Sequence, residues 1–378
     1  AVLCGLTQIE FFICVNQWLK KFLLIPEPFL MTIEQQTEIG IPEWAYVYGG
    51  PKSNGKIKTR PDDFIVEEQL SFQLEGSGEH AFLQVEKCGE NTEYVARLLA
   101  RFSGVRQRDV SYAGLKDRHA RTTQWFSVWL PGKEDPDWQQ LETENIKILQ
   151  ITRHARKLKK GVLSGNKFQI IIRECQGDNQ ELEQQLQYIK QQGIPNYFGS
   201  QRFGRQGQNI NNALSLFNGR KVKREQRSIY LSAARSFLFN CELSKRIELK
   251  NWNNAIPGDV MVFDQSNSYF KTEQIDDSVL QRVKAGAIHP TGMMFGKGTN
   301  VATKNVQQIE QTIIDANKVL VDGLVKMELS FDRRALRVFA SELSWRITHD
   351  SSLVLSFFLP AGSYATSLIR ELVATDKK

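Results

Sequence analysis

Short apolar runs separated by turn signals constrain the fold of this chain more than any other feature of its sequence. Three such runs, at 56–58, 64–68 and 81–85, lie close together, and Pro61 and a Gly-Ser-Gly turn at 76–78 separate them. Runs of this length bounded by Gly and Pro are typical of strands. The sequence therefore predicts that a sheet begins near residue 56.

Helices alternate with further strands after this point. Asn91 and Asp178 each precede a stretch in which apolar residues have helical spacing, and Gly104 and Gly193 follow where those helices should end. The further strand patterns lie at 108–113, 124–130, 146–152 and 167–173. Because the alternation lacks the long βαβ regularity of a doubly wound sheet, we predict an α+β fold with a mostly antiparallel sheet.

The later part of the chain indicates a second module. Beyond about residue 221 the pattern becomes more helical, with one amphipathic helix across 231–238 and another near 306–319. The glycine-rich piece 286–298 is predicted to be a loop, because it lacks a strand-turn-helix context. A strongly apolar strand pattern follows at 353–360, and a short helix then ends near Leu372. We expect this late strand to rejoin the first sheet.

The first 30 residues are apolar, but they predict neither export nor a membrane span. Glu10, Asn16 and the pair Lys20-Lys21 interrupt the apolar run, and the basic pair follows it instead of preceding it as in a signal peptide. We interpret the segment before Met31 as an upstream extension or a misassigned start. The 378 residues as a whole suffice for two domains.

The cysteine pattern and the lack of cofactor motifs argue against a disulfide-rich protein and against a metal- or nucleotide-dependent one. The five cysteines are an odd number, widely spaced and without a C-x-x-C pair, so neither a disulfide framework nor a zinc site is predicted. The natural compartment of such a chain is the reducing cytoplasm. Neither a P-loop, nor G-x-G-x-x-G after a strand, nor H-E-x-x-H, nor G-x-S-x-G occurs, and the histidines lie far apart. The sequence therefore predicts no nucleotide or metal cofactor.

Positive charge is concentrated in three stretches of the sequence, 97–121, 153–167 and 202–227. The net charge of +7 and the pI near 9.0 permit a polyanionic partner without requiring one. Aromatic residues lie within or beside these stretches, a mixture expected where phosphates are neutralised and bases are stacked. The aromatic residues are Tyr112, Trp125, Tyr197, Phe198 and Phe203. Solvated basic faces and core aromatics are the alternative interpretation.

The loop 113–119 places one carboxylate, Asp117, among Lys116, Arg118 and His119, between two predicted strands. Nearby cations favour the ionised form of a carboxyl group, and an ionised carboxylate can act as a nucleophile or a base. The alternative is an aspartate of a hairpin turn in a surface salt bridge. Spacing alone does not decide between the two.

The segment 193–205 combines three aromatic residues with an amide, two arginines and glycines. Tyr197 or Phe198 could stack on a base, and Asn196 could read the Watson–Crick edge of that base. A turn stabilised by Asn196 and buried by Phe198 is the alternative.

These two segments closely resemble the signature motifs of the TruD family of tRNA pseudouridine synthases. The first motif is 112–120, continued by Thr122 or Thr123 and Gln124-Trp125, and the second is 196–204. Further matches in the family's order lie at Lys58, 61–64, 76–80, 91–92, 231–236 and 359–363. The resemblance spans about residues 45 to 374.

The resemblance implies an isomerase of tRNA processing that converts uridine to pseudouridine, at position 13 in bacterial members, without a cofactor. It implies a pseudouridine-synthase catalytic domain with a mixed, mostly antiparallel sheet, interrupted by an inserted α/β domain called TRUD. The implied organisation is an N-terminal extension at 1–44, the catalytic domain at 45–219 and 339–378, and the inserted domain at 220–338. The RNA would enter the cleft between the two modules, and no protein partner or membrane is implied, so we expect a monomer.

Six residues match the family's functional positions. Asp117 matches the catalytic aspartate, and Lys58 is a candidate for the cation that pairs with it. Phe64, Asn196 and Tyr364 match residues that line the pocket for the target base, and Phe198 matches a residue that stacks on that base. Tyr364 stands where the bacterial pattern often has Phe, so its hydroxyl needs a partner if it is buried.

Asp117 could attack C1′, add to the base, or take the 2′ hydrogen, and the sequence leaves these three roles open. Strand alternation could point both Lys116 and Arg118 away from its carboxylate. Two other functions compete with isomerisation. One is an RNA-binding protein without catalysis, such as a chaperone for tRNA folding, and the other is an RNA methyltransferase, for which the chain lacks a cofactor loop.

Overall fold

A ten-stranded sheet organises the first part of the chain and takes three of its strands from the end of the chain. The structure, a computed structural model, describes residues 39–159, 161–266, 268–272 and 274–375. The strands are β1 (Ser53–Lys56), β2 (Phe64–Leu70), β3 (His80–Cys88), β4 (Val110–Tyr112), β5 (Arg121–Trp129), β6 (Ile146–His154), β7 (Leu163–Gly177), β8 (Ile194–Pro195), β9 (Val260–Phe263), β10 (Tyr269–Lys271), β11 (Ile288–Met294), β12 (Asp332–Ala335), β13 (Arg337–Val338), β14 (Ser341–Ile347), β15 (Leu353–Pro360) and β16 (Val373–Thr375). The helices are α1 (Thr92–Phe102), α2 (Asn179–Gln192), α3 (Gln208–Phe217), α4 (Arg224–Glu248), α5 (Asp277–Lys284), α6 (Lys304–Ala316), α7 (Lys318–Lys326) and α8 (Ala365–Leu372).

The large sheet is mixed and mostly antiparallel, as predicted. Its main path runs β14-β15-β7-β2-β5-β3-β6, while β1 pairs with β7 and β16, and β4 pairs with β5. Only the pairs β1–β16 and β2–β5 are parallel among the described strands of this sheet. The prediction of an α+β fold with such a sheet is confirmed.

The late strand rejoins the first sheet. β15 lies antiparallel to β7 along its whole length, from Leu353 opposite Ile172 to Pro360 opposite Gly165. Alternate residues of β15 are buried, and they pack in one hydrophobic cluster with apolar residues of α2 and α8. The expectation about this strand is therefore confirmed.

The helix starts follow the capping residues named from the sequence. α1 begins directly after Asn91, and α2 begins after Asp178, whose carboxylate accepts hydrogen bonds from the backbone N–H groups of Gln180 and Glu181 at 2.7 and 3.1 Å. These bonds satisfy two N–H groups that would otherwise lack partners in the first turn.

The second module contains a four-stranded antiparallel sheet, β10-β9-β11-β12, and the helices α4 to α7. The prediction of a loop across 286–298 is wrong, because β11 runs through it. Gly292 has a physical role there, since a Cβ atom at this position would lie 2.8 Å from the Leu336 side chain and 3.0 Å from a Glu242 carboxylate oxygen. The strand was not recognised because both of its faces are buried, and they carry His289, Thr291 and this glycine instead of an apolar alternation.

The domain boundaries stay predictions, and most of the predicted N-terminal extension, 1–38, lies outside the described residues. Ile39 and Trp44 are buried in the hydrophobic cluster that α3 and α4 build. The described end of the predicted extension thus packs on the rest of the protein. No helix in the described ranges combines the length and apolar character needed to cross a bilayer.

We predict that Leu355→Ala lowers the free energy of unfolding by about 2 to 5 kcal/mol, because Leu355 of β15 is fully buried opposite Ile170. Urea denaturation measures this loss. Leu149→Ala is the control, since Leu149 is 51% exposed, and a similar loss in both variants would contradict the placement of β15 in the core.

Candidate active site

The loop that carries Asp117 joins β4 to β5, and a buried lysine holds its backbone by hydrogen bonds. The Lys87 ammonium donates hydrogen bonds to the backbone carbonyls of Asp117 at 3.1 Å and Glu90 at 2.8 Å. Burial lowers the pKa of Lys87 to about 8, although the Asp117 carboxylate favours its charged form. The sequence analysis did not identify Lys87 as a residue that supports the site. The only signal for it was a single lysine in an apolar strand.

Polar side chains of α1 and β5 hold the same loop from the side. The Thr92 hydroxyl accepts a hydrogen bond from the Lys116 N–H at 3.0 Å and donates one to the Gln124 side chain at 2.9 Å. The Gln124 amide in turn donates to the Gly114 carbonyl at 2.6 Å. The backbone that presents Asp117 is therefore connected to two regular elements, which fixes its direction.

The Asp117 carboxylate has two donors. The Lys58 ammonium pairs with one oxygen, and the His119 N–H donates to the other at 3.0 Å. Burial raises the pKa of Asp117, but the hydrogen bonds from Lys58 and His119 outweigh it and hold the pKa below its usual value. The side chain remains 22% exposed, so an ionised carboxylate faces accessible space.

Lys58 reaches Asp117 from an unusual backbone conformation. Its φ of 55° lies in the left-handed region, which a residue with a side chain rarely adopts and which costs of order 1 to 3 kcal/mol. β1 ends at Lys56, so the predicted strand 56–58 is wrong at Ile57 and Lys58. The ammonium also lies 4.5 Å from the centre of the Phe64 ring. The structure thus brings Lys58, Phe64 and Asp117 together, three of the six residues named from the sequence.

The two basic neighbours of Asp117 point away from its carboxylate, as predicted. Lys116 pairs with Glu68 at 2.6 Å, and Arg118 donates to the Gly89 carbonyl at 2.7 Å. The Glu68 side chain is fully buried and also accepts the Trp125 N–H at 3.0 Å. Glu68 was missed, although its place on the apolar face of β2 signals an acid that requires a cationic partner.

The other three predicted site residues form a second group around Arg334 of β12. Arg334 donates to the Asn196 side-chain oxygen at 2.6 Å, while the Asn196 amide donates to the Ala335 carbonyl at 2.9 Å. The centre of the Phe198 ring lies 5.9 Å from that of Tyr364 and 4.2 Å from the Arg334 guanidinium carbon. Arg334 therefore covers Phe198, which is only 7% exposed. Sequence reasoning missed Arg334, because no local motif surrounds it.

The Tyr364 hydroxyl has the partner that the sequence called for, since Arg202 donates to it. Tyr364 lies directly before α8. The start of this helix approaches the backbone of the second motif at Gly199, where a Cβ atom would lie 2.9 Å from the Thr366 hydroxyl oxygen and 3.4 Å from the Tyr364 ring. Glycine at this position therefore permits the close contact between the second motif and the end of the chain.

The two groups border a shared core. Phe64 of the first group and Ala365, next to Tyr364, belong to the same hydrophobic cluster. No hydrogen bond, ion pair or ring contact in the described parts of the chain joins Lys58, Phe64 or Asp117 to the second group.

The chain is similar to known proteins over most of its length. The family model described as tRNA pseudouridine synthase D (TruD) matches residues 41–219 and 205–372. A protein of Methylococcus capsulatus named tRNA pseudouridine synthase D is 47% identical over 89% of this chain and 96% of its own length. A protein of Nitrosococcus oceani with the same name is 43% identical over 87% of this chain and 94% of its own.

A solved structure has the same fold. The crystal structure of the putative tRNA pseudouridine synthase D from Methanosarcina mazei aligns with a TM-score of 0.65 at 22% identity, covering 93% of this chain and 98% of that one. The sheet, its loop aspartate and these matches place the chain among the pseudouridine synthases. It belongs to the TruD family.

We predict that Lys116→Met lowers the free energy of unfolding by about 3 kcal/mol, because it leaves the buried Glu68 carboxylate without its cation. Arg118→Met is the matched control, with an expected loss below about 1 kcal/mol, since Arg118 is exposed. Equal urea midpoints for the two variants would show that Glu68 does not depend on Lys116.

Proposed function

We propose that this protein isomerises uridine to pseudouridine in tRNA, at position 13, and that Asp117 is the catalytic residue. The observation that carries the proposal is the Asp117 carboxylate itself. It is held ionised by Lys58 and the His119 N–H, remains partly exposed, and lies on a loop that Lys87 anchors. Membership of the TruD family supports the same reaction.

The reaction requires little beyond a positioned carboxylate. The N1–C1′ bond breaks, the uracil turns while it is held, and C5 joins C1′; C5 loses its hydrogen as a proton, and N1 gains a proton. Substrate and product are isomers, so the balance requires no oxidant, reductant or cofactor. Attack at C1′, addition to the base and removal of the 2′ hydrogen each place the ionised Asp117 carboxylate beside the sugar of an unstacked nucleotide.

The remaining residues would bind the base and orient the carboxylate. Lys58 holds Asp117 in its charged form and fixes its direction. Phe64, next to Lys58, supplies an aromatic wall on the Asp117 side. Asn196, Phe198 and Tyr364 supply the hydrogen-bonding and stacking groups of the base pocket, with the Arg334 guanidinium displaced from Phe198 on RNA binding.

The organisation of the chain follows from this proposal. A catalytic domain at 45–219 and 339–378 and an inserted domain at 220–338 would leave a cleft for the tRNA between them, in a monomeric, cytoplasmic protein. The pairing of β15 with β7 supports a catalytic domain built from both ends of the chain. The alternative function, RNA binding without catalysis, predicts bound but unchanged tRNA in the experiment below.

We predict that Asp117→Asn binds tRNA with unchanged affinity and loses turnover by more than about 10²-fold, because the amide can supply neither a nucleophile nor a base. The assay is tritium release from tRNA that carries 5-tritiated uridine, with no added cofactor, and mapping of the modified nucleotide tests position 13. Release by the variant would refute the role of Asp117. Tight binding without release by either protein would favour the RNA-binding alternative.

We predict that Lys58→Met moves the acidic limb of the single-turnover rate to higher pH. The sign follows from the hydrogen bond and charge of Lys58, which lower the pKa of Asp117. Without them the carboxyl group gains its proton at a higher pH, and the active ionised form is lost earlier as the pH falls. Arg118→Met should leave the limb in place, since Arg118 contacts the Gly89 carbonyl instead of the carboxylate. Superimposable limbs for wild type and Lys58→Met would contradict the ion pair.

A further inference from the structure

Two arginines from distant parts of the sequence converge on the Phe198 ring. Arg202 belongs to the second motif, four residues after Phe198, and Arg334 belongs to β12. Their guanidinium carbons lie 5.4 and 4.2 Å from the centre of the ring. Both residues are half-buried.

The acceptors of these two guanidinium groups are all neutral. Arg334 donates to the Asn196 side-chain oxygen at 2.6 Å and to the Gly362 carbonyl at 2.9 Å, with longer contacts to the Asn196 carbonyl. Arg202 donates to the Ser232 hydroxyl at 2.9 Å and to the Tyr364 hydroxyl. Neither arginine forms an ion pair with an Asp or Glu of the described residues.

Some half-buried or buried arginines of this protein have carboxylate partners, whereas Arg235 and Arg337 contact only backbone carbonyls and His289. Arg333, the neighbour of Arg334, pairs with Glu310 at 2.6 Å, and Arg246 pairs with Asp259 at 2.8 Å. Arg202 and Arg334 differ from Arg235 and Arg337 in that both lie against one aromatic ring, so two positive charges lie close together without an acid. Burial and, to a smaller extent, the positive charge of Arg202 lower the pKa of Arg334 to about 10 against the effect of Tyr364. Two like charges taken partly out of water are costly without a counter-charge.

We propose that Arg202 and Arg334 form a binding site for a phosphodiester group of the RNA, next to the nucleotide whose base enters beside Phe198. This inference rests on the proposed function and adds to it two residues and a ligand chemistry. A planar guanidinium with several donors is well suited to phosphate oxygens, and a phosphate would supply the missing negative charge.

The proposed site also accounts for the position of Arg334 against Phe198 and Asn196. Arg334 occupies the Asn196 side-chain oxygen and the Phe198 ring, the two groups that the base requires. A phosphate that takes over the Arg334 donors releases both groups together. Backbone binding and base binding are then coupled through one side chain.

The test measures the affinity for an unmodified tRNA transcript over a series of salt concentrations, by fluorescence anisotropy. All proteins carry Asp117→Asn, so that turnover does not change the ligand. A lost phosphate contact reduces the slope of log affinity against log salt by about 0.7 to 0.9. We expect that reduction for Arg334→Gln and for Arg202→Gln. Arg334→Lys should keep the slope but bind more weakly, because it retains the charge and loses the fork of donors.

Arg282→Gln is the matched control. Arg282 also lies over aromatic rings, 5.4 Å from the centre of Phe263 and 5.6 Å from that of Phe270, but in the second module away from the second motif. The salt slope of Arg282→Gln should equal that of the protein that carries Asp117→Asn alone. Thermal melting verifies that each variant is folded, and Arg202→Gln and Arg334→Lys keep the proposal testable if Arg334→Gln unfolds.

Two results would overturn the inference. One is an affinity and a salt slope that are both unchanged in Arg202→Gln and Arg334→Gln. The other is a weaker affinity of these variants with an unchanged salt slope, which would mean that Arg334 only holds Asn196 in place. Tritium release by the protein with Asp117 intact reports on the proposed function separately. A reduced slope in the glutamine variants without tritium release by the protein with Asp117 would support the phosphate site and refute the isomerase. Tritium release with an unchanged slope would support the isomerase and refute the phosphate site.

Discussion

The pairing of β15 with β7 is the contact on which the rest of this structure depends. It joins the end of the chain to the first sheet and buries one face of β15 against helices α2 and α8. Because β15 leads directly into the turn before α8, this pairing also places Tyr364 against the second motif. The segment between the second motif and the last strands forms a separate sheet, β10-β9-β11-β12.

Electrostatics separates the residues that hold the loop from those that face the substrate. Lys116 and Lys87 are directed inward, toward the buried Glu68 carboxylate and the backbone carbonyls below the loop. Lys58 alone among the nearby lysines pairs with the Asp117 carboxylate. A loop with several cations thus presents a single ionised acid, because each of the other charges has a separate partner.

The second group of residues has the opposite character. Its two arginines contact neutral oxygens and aromatic rings and have no described acid beside them. A carboxylate that functions by being ionised requires compensation within the protein, whereas a site that receives an anion is best left uncompensated until the anion binds. The two halves of the candidate site therefore differ in how their charges are compensated within the protein.

The sequence by itself determined most strands of the large sheet, the starts of α1 and α2, the α+β class and the two segments that carry Asp117 and Asn196. These features depend on local periodicity, capping residues and turn residues, and motif order made the family resemblance specific. The conformation of Lys58, the partner of Glu68, the strand through Gly292 and the position of Arg334 over Phe198 were decided only by the tertiary structure. Each depends on strand register and on contacts between residues far apart in the chain, so no local pattern encodes it.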